Sequence, residues 1–266
     1  MRICGTEKAM TENPSHETLV GSQFGSRAGA YLTSQVHAQG ADLAALAALA
    51  QGHPGTRVLD LGCGGGHVTF NVAPHVGELV AYDLSPEMLA VVERAARERG
   101  LGNVITRQGS VEHLPFADAS FDIVLSRYSA HHWRDFTGSL REAARVLKPG
   151  GIGGFVDTVA PGTPLRDSFF QAIELLRDPS HVRNYARAEW EKALAEAGLA
   201  CETTRHFRVR LDFASWVERM GTPAMQVAAI RALQKAVSSD VTKYFDTEPD
   251  GSFSIDVALF ETRKLF

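Results

Sequence analysis

Three glycines and two carboxylates have a spacing that suits the binding of a nucleoside-containing ligand. Asp60, Gly62, Gly64 and Gly66 alternate along one stretch at the end of an apolar run, and Asp83 comes 21 residues after Gly62. Glycine allows positive φ angles and lets a ligand approach the backbone closely. A carboxylate about 20 residues beyond such a loop is placed to accept hydrogen bonds from ribose hydroxyls. The pattern predicts a ribose site, with a solvated carboxylate at the strand end as the alternative for Asp83.

The spacing also selects among nucleotide-binding loops. A dinucleotide loop has the pattern G-x-G-x-x-G/A, whose third small residue allows tight packing of the helix on the strand. Counted from Gly62 and Gly64, that third position is His67, which is too large. A nicotinamide-dependent dehydrogenase is therefore the weaker enzyme alternative. Asp60 is expected to order the loop or to reach the ligand through water.

Two adjacent histidines are the best candidates for acid–base chemistry. His131 and His132 follow the apolar run 121–126, and ligands of parallel sheets bind beyond the carboxyl ends of the strands. An imidazole with a pKa near neutrality can take up a proton at working pH. Adjacent residues do not easily face one acceptor, so we expect at most one to serve as a base. In the alternative, one ring packs on Trp133 and the other caps the next helix.

A second polar pair, His181 and Arg183, can bind an acidic or phenolate group of a substrate, with a solvated loop as the alternative. No histidine has the spacing of metal ligands, so no metal is predicted. The three cysteines are scattered, which suits a reducing compartment and gives no disulfide or zinc framework. We therefore expect a cytoplasmic protein.

Alternating strand and helix signals must position these residues. Apolar runs predict five strands, at 58–61, 79–83, 103–110, 121–126 and 152–157. Ser85 and Asp135 are expected to cap the helices that follow them. Two stretches of strictly alternating residues, 206–211 and 253–259, predict two neighbouring strands at a sheet edge.

Three further segments extend the pattern: the tripeptide Leu114-Pro115-Phe116, the His-His-Trp segment 131–133, and the run 142–151 before the fifth strand. With the glycine loop and Asp83, and in this order, they resemble class I S-adenosylmethionine-dependent methyltransferases, most of all the menaquinone and ubiquinone C-methyltransferase-like (type 11) branch. The resemblance covers residues 20–160 well. It implies a Rossmann-like α/β fold: a seven-stranded, mostly parallel sheet with helices on both faces, an antiparallel last strand, and helical additions that cover the active site.

The resemblance also implies S-adenosyl-L-methionine as the cofactor and a small-molecule methyl acceptor. It places the cofactor against Asp60, Gly62, Gly64, Gly66, Asp83, Leu84, Ser110, Val111, Ser126, Arg127 and Tyr31. Ser110 stands where many members have an Asp that binds the adenine amino group, and the backbone N–H of Val111 is an alternative contact to that ring. Tyr31 and Arg27 are candidates to touch the methionine end, with a core position on a helix face as the alternative for Tyr31.

The composition fits one α/β domain with additions. The chain has 266 residues, 44% of them hydrophobic, and its net charge of −4 argues against a nucleic-acid partner. No apolar run approaches the ~18 residues of a membrane span. We expect a flexible segment over 1–20 and one methyltransferase domain over 21–266, with helical insertions at about 161–200 and 221–240. The sequence leaves the oligomeric state open between a monomer and a homodimer.

The predicted function is methyl transfer from S-adenosylmethionine to a small molecule. Quinone-precursor methylation is one activity seen in the similar branch, and the acceptor itself stays open. A non-catalytic cofactor-binding or sensor protein is the alternative from another class.

Overall fold

A seven-stranded sheet forms the centre of the molecule. The computed structural model describes residues 13–25 and 40–265. The strands are β1 (Arg57–Leu61), β2 (Glu78–Asp83), β3 (Val104–Gln108), β4 (Phe121–Arg127), β5 (Leu147–Thr158), β6 (Leu199–Leu211) and β7 (Phe253–Lys264). Their order is β3-β2-β1-β4-β5-β7-β6. β7 runs antiparallel to both neighbours, and the other neighbouring pairs are parallel. The predicted fold class is confirmed.

The strand order reverses at β1, which pairs with β2 on one side and β4 on the other. The chain fills one half of the sheet with β2 and β3 and then crosses to the other half. Val58, Leu59 and Leu61 of β1 are fully buried, as expected for a strand covered on both faces. Ligands of open α/β sheets bind beyond the carboxyl ends of the strands at such a reversal.

Helices cover both faces of the sheet. Within the described residues they are α1 (His16–Gly25), α2 (Ala41–Ala48), α3 (His67–Val72), α4 (Pro86–Glu98), α5 (Phe136–Val146), α6 (Pro164–Arg177), α7 (Arg187–Glu196), α8 (Phe213–Met220), α9 (Ala224–Ala236) and α10 (Ser239–Tyr244). Buried side chains of α2, α3 and α4 join one core layer with those of α6, α8, α9 and α10. Side chains of α5 and α7 form the layer on the opposite face. None of these helices is long and apolar enough to cross a membrane.

Two predicted helix caps are confirmed. The Ser85 hydroxyl accepts a hydrogen bond from the Met88 N–H at 3.2 Å, which fixes the start of α4 just beyond β2. The Asp135 carboxylate accepts one from the Gly138 N–H at 2.8 Å and begins α5. Each cap satisfies a backbone donor that the first helical turn leaves without a partner. The chain therefore turns sharply at the strand ends, where the candidate site lies.

The predicted edge pair is also confirmed. β6 and β7 pair antiparallel along nearly their whole length, with β6 at the sheet edge. Leu211 is buried, while His206, Arg208 and Arg210 are exposed, as the alternation requires. β6 begins at Leu199, well before the predicted stretch 206–211.

The expectation of a loose segment through residue 20 is wrong from His16 onward, where α1 begins. The polar composition of this segment gives only a weak signal for a helix. Contacts elsewhere in the fold stabilise it, since Phe24 packs against Met88 and Val91. The helical additions also differ from the predicted ranges. α6 and α7 occupy the first, whereas three helices, α8 to α10, span 213–244 between β6 and β7. Tyr31 and Arg27 lie outside the described residues.

Candidate active site

A first cleft opens beyond the carboxyl ends of β1, β2 and β4. It measures about 1090 Å³ with its open mouth, and residues of the glycine loop, of the segment after β3, and of α1 line it. The cleft therefore lies at the position that the strand reversal predicts for a ligand.

The glycine loop forms the floor of the first cleft. Gly62 and Gly64 have φ angles of 65° and 49°, in the left-handed region. A Cβ at Gly62 would collide with the Ser129 side chain, whereas a Cβ at Gly64 would meet nothing within 4 Å and would project into open space. Gly66, with φ 83°, does not line the cleft; a Cβ there would lie 2.7 Å from the Phe70 ring. The loop thus leaves a bare backbone surface at Gly64, where a ligand can lie flat.

Asp83 joins the loop to the start of α4. One carboxylate oxygen accepts the Gly64 N–H at 2.8 Å, and the other accepts the Ser85 N–H at 2.9 Å. Burial raises the pKa of Asp83, although the two backbone hydrogen bonds oppose that shift. Each oxygen has a second lone pair, and the residue lines the first cleft. The carboxylate can therefore accept two further hydrogen bonds from a ligand.

Asp60 lies beneath the loop and is almost fully buried. Its carboxylate accepts the Thr69 hydroxyl at 2.7 Å, which ties the end of β1 to α3. Burial raises the pKa of Asp60 to about 7; the nearby charge of Asp83 adds to the shift and the Thr69 bond opposes it. A positively charged ligand in the cleft would favour the ionised form. Asp60 thus orders the loop, one of the two roles predicted for it.

The segment after β3 forms one wall of the first cleft. Ser110 and Val111 both line it, as does Leu84 at the end of β2. The Ser110 hydroxyl accepts the Glu112 N–H at 3.4 Å, and its carbonyl accepts the Tyr82 hydroxyl at 3.1 Å. Ser126 does not line the cleft: it is buried in β4 and donates its hydroxyl to the Leu61 carbonyl at 3.0 Å. Its contribution is to join β4 to β1 next to the loop.

Arg127, at the end of β4, lines the first cleft and is held by a buried ion pair. Its Nε lies 2.7 Å from the Asp42 carboxylate, and both side chains are less than a tenth exposed. Tyr128, the next residue, has a φ of 52°, which is rare for a residue with a bulky side chain. This turn places the Tyr128 side chain between the first cleft and a second one. Sequence reasoning missed Asp42, because a lone acid in an alanine-rich helix gives no sign of its partner.

Helix α1 lies over the first cleft. Its residues His16, Glu17, Val20 and Phe24 line the cleft, and the His16 Nε2 donates to the His132 carbonyl at 3.0 Å. Sequence reasoning missed these residues. The only available signal was the i, i+4 pair Val20 and Phe24, which gives one apolar stripe on a short helix.

A second cleft adjoins the first and shares Phe24, Tyr128 and His132 with it. It measures about 690 Å³ with its open mouth. One part of its wall is mostly apolar, from β6, β7 and α8, and includes Leu211, Ile255 and Trp216 beside the charged Arg219. The other part is polar and comes from β5, α6 and the segment that follows α6. An acceptor molecule in this cleft would lie next to a ligand in the first.

His131 and His132 occupy different environments although they are adjacent. The His131 Nδ1 lies 2.7 Å from the buried Asp157 carboxylate, and its backbone N–H donates to the same carboxylate at 3.2 Å. Burial lowers the pKa of His131, but the charge and hydrogen bond of Asp157 outweigh it, and the net pKa is raised. Burial, and next the charge of His131, lower the pKa of His132 to about 4. His131 thus takes up a proton more readily than His132, which is neutral at working pH.

The hydrogen bonds of His132 define its tautomer. Its Nδ1 lies 3.0 Å from the Ser180 carbonyl, which can only accept, so Nδ1 carries the proton. The Nε2 lone pair is then available, and the Asp178 carboxylate lies 3.9 Å from Nε2, close enough to stabilise a proton placed there. Neither histidine caps α5; both rings are held by groups from β5 and from the segment after α6.

His181 and Arg183 line neither cleft. The His181 Nε2 donates to Gln171 Oε1 at 3.1 Å, and burial, together with the charge of His131, lowers the pKa of His181 to about 2. Arg183 forms an ion pair with Asp167 at 3.0 Å. Substrate binding by these residues stays a prediction to which this arrangement lends no support. They hold the segment between α6 and α7 in place.

The strand order, the loop and the paired clefts define a class I methyltransferase architecture, and comparison with known proteins agrees. The family model described as "Methyltransferase domain" (type 11) matches residues 59–155. An uncharacterized protein, YafE, of Escherichia coli K12 is 49% identical over 199 residues, which cover 75% of this chain and 96% of YafE. The uncharacterized methyltransferase YcgJ of Bacillus subtilis is 40% identical over 201 residues, covering 76% of this chain and 79% of YcgJ. The chain belongs to the class I S-adenosylmethionine-dependent methyltransferase family.

Solved structures support the same assignment. The crystal structure of YcgJ matches with a TM-score of 0.80 and 34% identity, over 85% of this chain and 98% of YcgJ. A geranyl diphosphate C-methyltransferase of Streptomyces coelicolor, solved with S-adenosyl-L-homocysteine, shares the fold at a TM-score of 0.61 and 20% identity, over 85% of this chain and 79% of that one. A demethylmenaquinone methyltransferase of Lactococcus lactis is 36% identical over 124 residues, which cover 46% of this chain and 48% of that protein.

Proposed function

We propose that this protein binds S-adenosylmethionine in the first cleft and transfers its methyl group to a small molecule held in the second cleft. The observation that carries the proposal is the Asp83 carboxylate. It links Gly64 of the loop to the start of α4 and keeps two acceptor positions toward the cleft. An ionised carboxylate with two free acceptor positions is suited to bind two adjacent ribose hydroxyls.

The described residues fit this cofactor. The open surface at Gly64 admits the amino-acid part, and Asp60 beneath it complements a positive ligand. Ser110 and the Val111 N–H lie on the wall where an adenine ring would lie. Leu84 supplies an apolar surface beside Asp83, and Arg127 closes the end nearest β4. The shared fold of a protein solved with S-adenosyl-L-homocysteine supports the same placement.

Gly66 and Ser126 act on the cofactor site indirectly. Gly66 caps α3 in a left-handed conformation and packs close to Phe70. Ser126 fixes the spacing between β4 and β1 through the Leu61 carbonyl. Tyr31 stays a predicted cofactor contact from outside the described residues.

His132 is the proposed general base. When bound, the cofactor supplies an electrophilic methyl group. The acceptor must offer an electron pair, and the His132 Nε2 takes the proton that the acceptor atom loses. Asp178, 3.9 Å from Nε2, stabilises the resulting imidazolium, and the Ser180 carbonyl holds the ring in orientation. Burial, and next the charge of His131, keep His132 neutral before the reaction. Asp157 fixes the His131 ring.

The neutral and cationic histidines favour one division of roles. Groups whose pKa values are pushed apart by their environments are suited to act as base and as acid or electrostatic stabiliser. His131 lines only the second cleft and is cationic, so it stabilises negative charge on an acceptor there. Aromatic acceptors of the kind named for the Lactococcus relative fall within the class of acceptors that lose a proton. The cytoplasmic location and the oligomeric state stay predictions.

The test has two steps. Isothermal titration of the purified protein with S-adenosyl-L-homocysteine and with NAD should give saturable binding of the first ligand only. Incubation with S-adenosylmethionine and a filtered metabolite extract should then produce, by mass spectrometry, a compound heavier by one CH₂ group. His132→Gln should abolish product formation and retain ligand binding. Binding of NAD in place of S-adenosyl-L-homocysteine contradicts the proposal, and binding without any product favours a sensor.

A further inference from the structure

The second cleft contains a buried amide donor that no described residue satisfies. Asn184 is 2% exposed and lines this cleft, and its Nδ2 has no hydrogen-bond partner within residues 13–25 and 40–265. Buried polar groups in native proteins are nearly always hydrogen-bonded. An exception next to a candidate reaction centre points to a partner that arrives with a ligand.

The backbone at this residue is held rigidly. The Gln171 side chain accepts the Asn184 N–H at 3.0 Å and donates to the Asn184 carbonyl at 2.7 Å. Gln171 is itself fixed on α6, because it donates to Asp167 at 2.8 Å and accepts from His181. Arg183 holds the other oxygen of Asp167 at 3.0 Å. The polar network that contains His181 and Arg183 therefore fixes the segment from which the Asn184 side chain reaches the cleft.

The surroundings of the amide indicate what it binds. The Thr158 side chain, at the end of β5, lines the same cleft, and its hydroxyl forms no hydrogen bond with any residue that the structure describes. Facing groups from β6 and β7 are apolar and include Leu211 and Ile255, and α8 contributes Trp216 beside the charged Arg219. A ligand that fills this space needs an apolar body and a hydrogen-bond-accepting atom at its polar end.

We infer that Asn184 recognises an oxygen atom of the methyl acceptor, and that the acceptors are compounds with an apolar body and a carbonyl, carboxylate or hydroxyl oxygen near the reacting atom. This inference rests on the proposed function, because it takes the second cleft as the acceptor site. The Nδ2–H of Asn184 donates to that oxygen. His132 lies on the boundary between the two clefts, so the bound oxygen fixes the orientation of the acceptor toward the first cleft.

Such a donor makes the site selective. A site built to hydrogen-bond a substrate group rejects an analogue that lacks the group far more strongly than an apolar pocket rejects a missing methylene. A compound with the oxygen should therefore bind at least about tenfold more tightly than its hydrocarbon isostere, the ratio expected for one hydrogen bond of this kind. Replacement of the amide by an apolar side chain of similar size should remove the difference.

The binding test uses protein saturated with S-adenosyl-L-homocysteine and a panel of aromatic ketones, carboxylates and phenols, each paired with its hydrocarbon isostere, such as acetophenone with α-methylstyrene. Ligand-observed NMR should detect binding by oxygen-bearing members of the panel, with their isosteres about tenfold weaker or silent. Asn184→Leu should bind both members of each pair equally. Asn71→Leu, at an exposed position outside both clefts, should retain the wild-type preference. Equal binding of the pairs by the wild type, or no binding by any oxygen-bearing compound, overturns the inference.

A stability measurement separates a ligand-binding amide from a structural one. Asn184→Leu should melt at or above the wild-type temperature, because it removes a buried donor without a partner. Asn103→Leu is the matched comparison: its amide donates to the Ala73 and Val76 carbonyls at 2.8 and 2.9 Å, so this variant should melt at a lower temperature. Equal losses in the two variants would show that Asn184 is structural and would contradict the inference.

The titration with S-adenosyl-L-homocysteine separates a failure of the proposed function from a failure of the role of Asn184. If the protein does not bind S-adenosyl-L-homocysteine, the proposed function fails first. If it binds that ligand but shows no oxygen preference in the panel, only the role of Asn184 fails.

Discussion

Replacement of Asp83 by alanine should weaken S-adenosyl-L-homocysteine binding far more than it destabilises the fold. The carboxylate holds the Gly64 and Ser85 N–H groups at 2.8 and 2.9 Å, and it is the proposed acceptor for both ribose hydroxyls. The alanine variant loses all four acceptor positions. Water from the open cleft can reach the two backbone donors, whereas the ribose hydroxyls of a bound ligand would be left without their ionised partner.

The expected magnitude follows from the kind of hydrogen bond lost. A bond to a charged group contributes about 1.5–3 kcal/mol, so two ribose bonds contribute about 3–6 kcal/mol. At about 1.4 kcal/mol for each factor of ten, Asp83→Ala should raise the dissociation constant roughly a hundredfold to ten-thousandfold. Asp83→Asn retains one carbonyl oxygen but presents an amino group to one of the backbone donors. Its effect should lie between those of the wild type and Asp83→Ala.

Isothermal titration calorimetry gives the dissociation constants, and thermal melting of the free variants shows that each remains folded. Asp240→Ala, which removes an exposed carboxylate on α10 outside both clefts, is the control and should bind as the wild type does. If a folded Asp83→Ala protein binds within about threefold of the wild type, the carboxylate does not hold the ribose, and the reasoning from its geometry is refuted.

Three further predictions concern the loop and its supports. Calorimetry should show that S-adenosylmethionine binds about tenfold more weakly at pH 6 than at pH 8, because the positive ligand favours ionised Asp60, whose pKa is about 7 in the free protein. Asp60→Asn should bind with no pH dependence of this kind. A wild-type affinity that does not change between pH 6 and pH 8 would contradict the prediction. Gly64→Ala should remain folded but lose binding, since its methyl group enters open cleft, whereas Gly62→Ala should melt at a lower temperature because of a steric collision; equal melting temperatures of the two variants would argue against this geometry. Asp42→Ala should destabilise the protein by about 3–5 kcal/mol in urea unfolding, since it removes one partner of a buried ion pair. A loss below about 1 kcal/mol would show that water reaches the pair.

The sheet and the position of the first cleft could be predicted because their signals are local in sequence. The apolar run before Gly62 indicates a buried strand, and the distance from that glycine to Asp83 spans one helix and one turn, so a single β-α-β unit fixes it. The caps at Ser85 and Asp135 are equally local. Each of these signals lies within one β-α-β unit or one helical turn.

The rest could not be predicted because it depends on contacts between distant parts of the chain. Asp42 and Arg127 are 85 residues apart, and nothing near either one indicates the other. The types of His131 and His132 indicated acid–base chemistry, but their opposite pKa shifts follow from the burial of His132 and from the contact of His131 with Asp157 on β5. α1 looked loose because its apolar side chains find partners only in the assembled cleft.

The most direct measurement is a crystal structure of the protein with S-adenosyl-L-homocysteine. Both ribose hydroxyls are predicted to lie within hydrogen-bond distance of the Asp83 carboxylate, with the amino-acid part on Gly64 and the sulfur facing the boundary at His132. A ligand that lies in the second cleft, or a ribose bound away from Asp83, would contradict the central claim.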